Sequence, residues 1–370
     1  MTTSNNRVAI IGLDGMPWEA LRVLLESGVM PKLKSILPHS ARANLKPLVP
    51  ITGPSWIDMA TTVNPGKHGI FDFLRLEPED FTWRSNTSLD VKHPRLHEML
   101  AMEGKSSVLV NMPYTVPPVV EAPDRYVIFA SWLHKRTTEI YPQERMENLK
   151  GDLAEIRRKI EDVFGVIDLE AYLEAVKGQL EAKLSIAEKL LEHPWNLYFV
   201  IFSEPDWIFH RMYGEVLKRS KLGKKADAIF KLMDEFIGKV VELLSDEGLI
   251  MVVSDHGFAE HRKALNVNVL LKKLGYLKVS ESIKGRVINK IIRMLPSKIK
   301  ASLKSRALTA LSSMGLQDRA FTMPIDYKNS IAFMQTLCNI YLNPLLPEDE
   351  KERVADKIVH ELAAYRDLLG

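Results

Sequence analysis

The stretch Val8-Ala9-Ile10-Ile11-Gly12-Leu13-Asp14-Gly15 decides the reading of the fold. Six apolar residues follow one another without polar alternation. That is the pattern of a β-strand buried on both faces. A carboxylate stands where the run stops. Two later segments repeat the arrangement. Leu197–Phe202 leads through Ser203-Glu204-Pro205 to Asp206, with His210 four residues on, and Leu249–Val253 leads to Ser254-Asp255-His256-Gly257. A fourth strand candidate, Ser107–Val110, follows a helix-like Pro94–Met102. Helical patterns fall between them at Trp18–Leu25, Leu153–Leu191 and Ala226–Leu244. Strands alternating with helices predict an α/β fold with a mainly parallel sheet covered on both sides.

In an open sheet of this kind, ligands sit outside the carboxyl ends of the strands. Residues far apart in sequence are therefore expected to meet there, and here they are Asp and His, donors that suit zinc or manganese. Asp206 and His210 stand four apart, so on a helix they share a face and can hold one ion. Each cluster alone has a plainer reading. Asp14 suits a helix cap, Asp206 and His210 a surface pair, and Asp255-His256-Gly257 a turn. Their recurrence after three strand candidates favours a metal site.

A hydroxyl candidate lies in Pro50-Ile51-Thr52-Gly53-Pro54-Ser55-Trp56, just before a helix-like stretch over Trp56–Thr62. A hydroxyl at a helix N-terminus faces unpaired N–H groups and the positive end of the dipole, which favour a phosphate. A metal ion on Thr52 would lower its pKa and make it a nucleophile. Alone, Thr52 or Ser55 reads as an ordinary N-cap.

Composition narrows the remaining choices. The 370 residues are 46% hydrophobic and 26% charged, as in globular proteins with a sizeable core. The net charge of +3 points to no particular partner. Cys338 is the one cysteine, which excludes an intrachain disulfide framework and a cysteine zinc site. A reducing compartment follows most simply, and the expected location is cytoplasmic. No apolar run approaches the ~20 residues of a membrane span. The expected division is an α/β core at 1–143 and 193–275, a helical insertion at 144–192, a basic helical insertion or cap at 276–325, and a return to the core at 326–370. Within the basic part, Ser282–Gln317 carries eight Lys or Arg and no acid, with Pro296 breaking it into two helices. Near the end, Glu348–Leu369 reads as an amphipathic, solvated helix. The basic stretch suits a solvated surface, the steering of an anionic substrate or, ranked below steering, contact with an anionic membrane surface.

Six pieces in order resemble the type I phosphodiesterase/nucleotide pyrophosphatase branch of the alkaline phosphatase superfamily. They are Ile11-Gly12-Leu13-Asp14-Gly15, Thr52-Gly53-Pro54-Ser55-Trp56, Asn64-Pro65-Gly66-Lys67-His68-Gly69-Ile70, Asn111-Met112-Pro113-Tyr114-Thr115, Glu204-Pro205-Asp206 with His210, and Ser254-Asp255-His256-Gly257-Phe258. The resemblance implies an alkaline-phosphatase-like α/β fold with helical insertions. It also implies two divalent metal ions, zinc or else manganese. One would be held by Asp14, Asp255, His256 and the Thr52 oxygen, the other by Asp206, His210 and a third His. Thr52 would attack phosphorus and form a phosphothreonine. Ser55 stands where relatives often have an Asn that donates to a phosphate oxygen, and His68 is expected to be structural. No match to the family's late metal-binding His exists: after His256 only His261 and His360 remain, so the C-terminal pattern is expected to be incomplete.

The implied function is a metal-dependent phosphoric ester hydrolase for a small phosphorylated substrate, a nucleotide among the candidates, with no specific nucleic-acid partner. The alternatives are a phosphomonoesterase or phosphomutase of the same superfamily, or a degenerate binder of a phosphorylated ligand. Thr52 and Trp56 stand where sulfatases carry Cys or Ser and Arg, which argues against that branch.

Overall fold

The computed structural model describes residues 7–130, 139–144, 165–244, 248–260, 265–280, 325–335 and 338–365, together with positions 151, 154, 155, 158, 159 and 163. Ser282–Gln317 with its proline break, most of 145–164, and His261 lie outside the described residues.

From the N-terminus the elements are β1 (Arg7–Leu13), α1 (Trp18–Glu26), α2 (Pro31–Ile36), α3 (Thr52–Thr61) and α4 (Pro65–His68). There follow β2 (Leu74–Leu76), β3 (Trp83–Ser85), α5 (Leu96–Met102), β4 (Ser107–Val110), β5 (Tyr126–Ala130) and β6 (Glu139–Tyr141). The remainder are α6 (Leu169–Leu191), β7 (Leu197–Phe202), α7 (Glu204–Leu217), α8 (Asp227–Leu244), β8 (Gly248–Val253), α9 (Val267–Lys273), β9 (Ala332–Met334), β10 (Ile340–Leu342) and α10 (Glu348–Ala363). The chain divides into two compact units. One is Met1–Phe73 with Asn86–Glu260, the other Leu74–Ser85 with His261–Gly370.

The first unit is built on a six-stranded sheet in the order β6-β5-β4-β7-β1-β8. Its neighbours are parallel except for β5 and β6, as the strand–helix alternation leads one to expect. All six residues of β7 are buried, consistent with its unbroken apolar run. Register matters more than extent here: Leu13 pairs with Phe202 and Gly12 with Val253, so β1, β7 and β8 end at one level.

Helices cover both faces. On α8, Ile229, Phe230, Met233, Phe236, Ile237 and Val240 are buried at the i, i+3, i+4 spacing of an amphipathic helix. Asp234 on that buried face caps α2, accepting the Lys32 and Leu33 amides at 2.8 Å each. Helix α6 lies within the segment expected as an insertion. Its Tyr172, Leu173, Val176, Leu180, Leu184, Ala187 and Leu190 join the same core as β1 and β7, so it is a covering helix of the sheet. Asp168 starts it by accepting the Glu170 and Ala171 amides.

One expectation is corrected. Leu249–Val253 is a strand, but an edge strand, with Leu249 55% and Met251 42% exposed. An apolar run marks a strand without stating how many neighbours it has.

The second unit contains the antiparallel pairs β2–β3 and β9–β10 with α9 and α10. Its core gathers Leu271, Tyr276, Leu277, Ala332, Phe333 and Ile358, with Trp83 edge-on to Tyr341 at 4.9 Å. Residues 338–365, within the 326–370 expected to return to the α/β core, group with this unit. Among the described residues no helix is long and apolar enough to cross a membrane.

Candidate metal centre and nucleophile

The strand ends bring the acidic motifs together. Asp14 follows β1, and its amide donates to the Phe202 carbonyl at 3.0 Å, tying it to the end of β7. Asp255 follows β8, and its Oδ1 accepts the Gly15 amide at 3.0 Å. Ser254 braces the same corner, accepting the Met16 amide and donating to the His256 carbonyl. Asp206 lies in the first turn of α7, where a carboxylate also meets the positive end of the helix dipole.

Helix α3 carries Thr52 over β1. Trp56, fully buried, lies against Gly12, where a Cβ would fall 2.4 Å from the indole. Only glycine at that strand position lets the helix come so close. His68 holds the far side: its Nε2 lies 2.8 Å from Asp58 Oδ1 on α3 and its Nδ1 accepts the Ile70 amide, the structural role expected of it.

His256 Nε2 is the hub. It lies 3.1 Å from Thr52 Oγ1, 3.6 Å from Asp14 Oδ1, 3.6 Å from Asp255 Oδ2 and 3.7 Å from Asp206 Oδ1. The other ring nitrogen, Nδ1, is 3.2 Å from the Gly257 carbonyl. A carbonyl can only accept, so Nδ1 is the donor there, and Nε2 is the ring atom that faces the cluster. Asp14, Asp206 and His256 each offer a ligand atom within 4.8 Å of the others.

Burial sharpens the picture. Both Asp14 carboxylate oxygens and Asp255 Oδ2 are buried without a hydrogen-bond partner. Native proteins rarely leave buried acceptors unpaired, and unpaired carboxylates least of all. Burial, then the charges of Asp255 and Asp206, hold the Asp14 carboxyl well above the usual carboxylate range, with the Lys183 ammonium pulling the other way. Asp255 is raised too, by burial, against the charge of His256 and the Gly15 N–H. A bound cation would answer all of these at once, so the donor set fits a divalent metal.

The remaining expected residues are placed as follows. His210 stands beside Asp206, Nε2 to Oδ1 3.4 Å, with its side chain 65% exposed and its ring edge-on to Phe258 at 4.9 Å. Contact with Asp206 raises its pKa. Ser55 is buried, and its hydroxyl donates to the Val49 carbonyl at 2.9 Å. Its single proton is therefore used on the loop that leads into Thr52. His360 is exposed, in the last turn of α10 of the second unit. Trp207 and Phe209, beside the Asp206 motif, are core residues.

Sequence reasoning gave no role to Lys183 or Glu204, which form a fully buried pair behind Asp206 (Nζ to Oε1 2.7 Å). Lys183 sits in a helix dotted with exposed Lys and Glu and has no distinguishing neighbour. Glu204 could be noticed only as part of the Glu-Pro-Asp motif. Nor did it single out Arg95, buried against Glu98 and donating to the Tyr114 carbonyl.

Compared with known proteins, residues 8–324 match the profile of a family described as type I phosphodiesterase/nucleotide pyrophosphatase. Phosphonoacetate hydrolase from Sinorhizobium meliloti 1021, solved with phosphonoformate and with phosphonoacetate, superposes at TM-score 0.55 with 18% identity. The match covers 75% of this chain and 64% of that one, so the chain spans less than two thirds of the hydrolase's length. Murine ectonucleotide pyrophosphatase/phosphodiesterase 5 superposes at TM-score 0.47 with 16% identity, covering 74% of this chain and 63% of that one. No curated protein matches. The first likeness supports the alkaline-phosphatase-like α/β fold.

Proposed function

Because the chain belongs to the type I phosphodiesterase/nucleotide pyrophosphatase family, through a match that includes every residue of the site, we propose that it is a metal-dependent phosphoric ester hydrolase with Thr52 as nucleophile. One observation carries this reading: buried, unpartnered oxygens of Asp14 and Asp255 converge with Asp206 and His256 next to the Thr52 hydroxyl.

Asp14, Asp255, His256 and the Thr52 oxygen would hold one divalent ion, and Asp206 with His210 a second, zinc being the better match to a mixed Asp/His donor set. Bound there, the ions would supply positive charge to phosphate oxygens and lower the pKa of the Thr52 hydroxyl. The chain's own residues do the rest. Thr52 is the first residue of α3, so the N–H groups of Thr52 and Gly53, which have no partners inside the helix, would be offered to an anion beside it, while Pro54 has no N–H and Ser55 bonds the Ile51 carbonyl. Thr52 Oγ1 forms a bond to phosphorus as its proton passes to solvent and the bond from phosphorus to the leaving oxygen breaks, that oxygen taking a proton from water. Water then releases the phosphoryl group from Thr52, restoring the hydroxyl. The low exposure of Thr52, 7%, limits water at the nucleophile before substrate is seated.

The substrate class is a small phosphodiester or pyrophosphate, and the expected compartment is cytoplasmic. Hydrolysis of bis-p-nitrophenyl phosphate, with zinc or manganese added and with EDTA as control, tests the reading. Turnover that depends on added metal is the expected result. Tight phosphate binding without turnover under any metal would support the non-catalytic binder instead.

A further inference from the structure

A buried salt bridge is an uneconomical way to stabilise a core: apolar residues of the same volume often do as well or better. Lys183 and Glu204 are nevertheless both fully buried, 2.7 Å apart, with Glu204 Oε2 left unpartnered. Their location supplies a reason. Glu204 is the first residue of α7 and Asp206 the third. Two residues along a helix turn the side-chain direction by about 200°. A tether that draws Glu204 back against α6 therefore faces Asp206 the opposite way, towards Asp14 and His256. Trp207 fits the same geometry. Its ring lies 5.6 Å from Lys183 Nζ, and its carbonyl accepts the hydroxyl of Tyr172, also on α6, at 3.0 Å. Two residues of the α7 first turn, Glu204 and Trp207, are thus fixed from one side, and Asp206 is left to the other.

We infer that Lys183 and Glu204 are a positioning pair, which sets Asp206 for the metal before any ion arrives. The inference rests on the proposed function for the identity of Asp206 as a ligand. Lys183 touches neither substrate nor metal; it acts through Glu204 and the helix start.

The test is a cycle of full-length variants, Lys183→Met, Glu204→Met and the double variant, read by melting temperature and by zinc affinity against a chromophoric chelator. Lys183→Met alone strands a buried carboxylate and should melt roughly 10 °C lower. The double variant should melt within a few degrees of the parent yet bind zinc at least ~10-fold more weakly, the usual loss when a ligand's support is removed. A double variant with parental stability and parental zinc affinity overturns the inference.

A second measurement needs no variant. Hydrogen exchange of the 203–210 segment should be equally slow in metal-free and zinc-loaded parent. Strong protection that develops only on zinc addition would mean that the ion, not the pair, orders this turn. A parent that takes up no zinc would count against the proposed function, and the metal-free exchange rate would still decide on the pair.

Discussion

Replacing Asp14 by Asn separates stability from function at this site. Asp14 is 0% exposed, has no hydrogen-bond donor on either oxygen, and shares its pocket with the charges of Asp255 and Asp206. Asparagine keeps the shape, removes one like charge and can donate its amide to a neighbouring carboxylate. Relieving one buried, unsatisfied acceptor contributes about 1–3 kcal/mol, and near 2–4 °C per kcal/mol for a domain of this size the melting temperature should rise by about 2–12 °C. The pH dependence has a definite sign. A carboxyl whose folded pKa is raised contributes stability that is complete below its ordinary value of 3.8 and is lost as pH rises through the folded value. The metal-free parent should therefore weaken with rising pH over that interval, and Asp14→Asn should weaken less. Zinc should reverse the order: at a thousandfold excess over its dissociation constant a ligand adds about 4 kcal/mol to the parent, while the variant, lacking one ligand and one charge, gains much less. Calorimetry in EDTA and in zinc reads both effects. A variant that melts at or below the parent in EDTA at neutral pH would refute the claim that these oxygens wait for a cation.

Three further outcomes are expected. Thr52→Ala should abolish turnover and cost about 1 kcal/mol or less in stability, since among the described residues the hydroxyl bonds only His256 Nε2; activity within a few-fold of the parent would sink the nucleophile assignment. Gly53→Ala would place a Cβ 2.7 Å from the Tyr114 hydroxyl oxygen, costing about 1–3 kcal/mol and lowering kcat; adding Tyr114→Phe should restore both, and a lack of rescue would point to strain elsewhere in α3. Ser55→Ala leaves the Val49 carbonyl without its donor, so melting temperature and kcat should fall together with KM little changed, whereas a rise in KM alone would show the hydroxyl reaching the substrate.

Much of this architecture could be read from local pattern. The uninterrupted apolar runs of β1 and β7 and the carboxylates after them locate the sheet and its functional edge, because burial on both faces and the strand-end rule are local properties of sequence. The edge position of β8 could not be read, since pairing partners are set by topology and not by composition. The same holds for α6. A helix dense in Lys and Glu looks solvated, yet its Tyr172 to Leu190 face is core and its Lys183 is fully buried. Ser55 shows the limit of carrying a role over by position. The short side chain reaches the Val49 backbone first, and nothing in the motif tells which acceptor is nearer.

The most direct test of the account is to look for the bond it requires at Thr52. Metal-loaded parent mixed with an activated phosphodiester, quenched in acid within the first turnover and digested, should yield the peptide containing Thr52 with the substrate's phosphoryl ester attached, and Thr52→Ala should yield none. Steady metal-dependent turnover with no adduct on Thr52 at any quench time, and an active Thr52→Ala, would contradict it and leave direct attack by water as the mechanism.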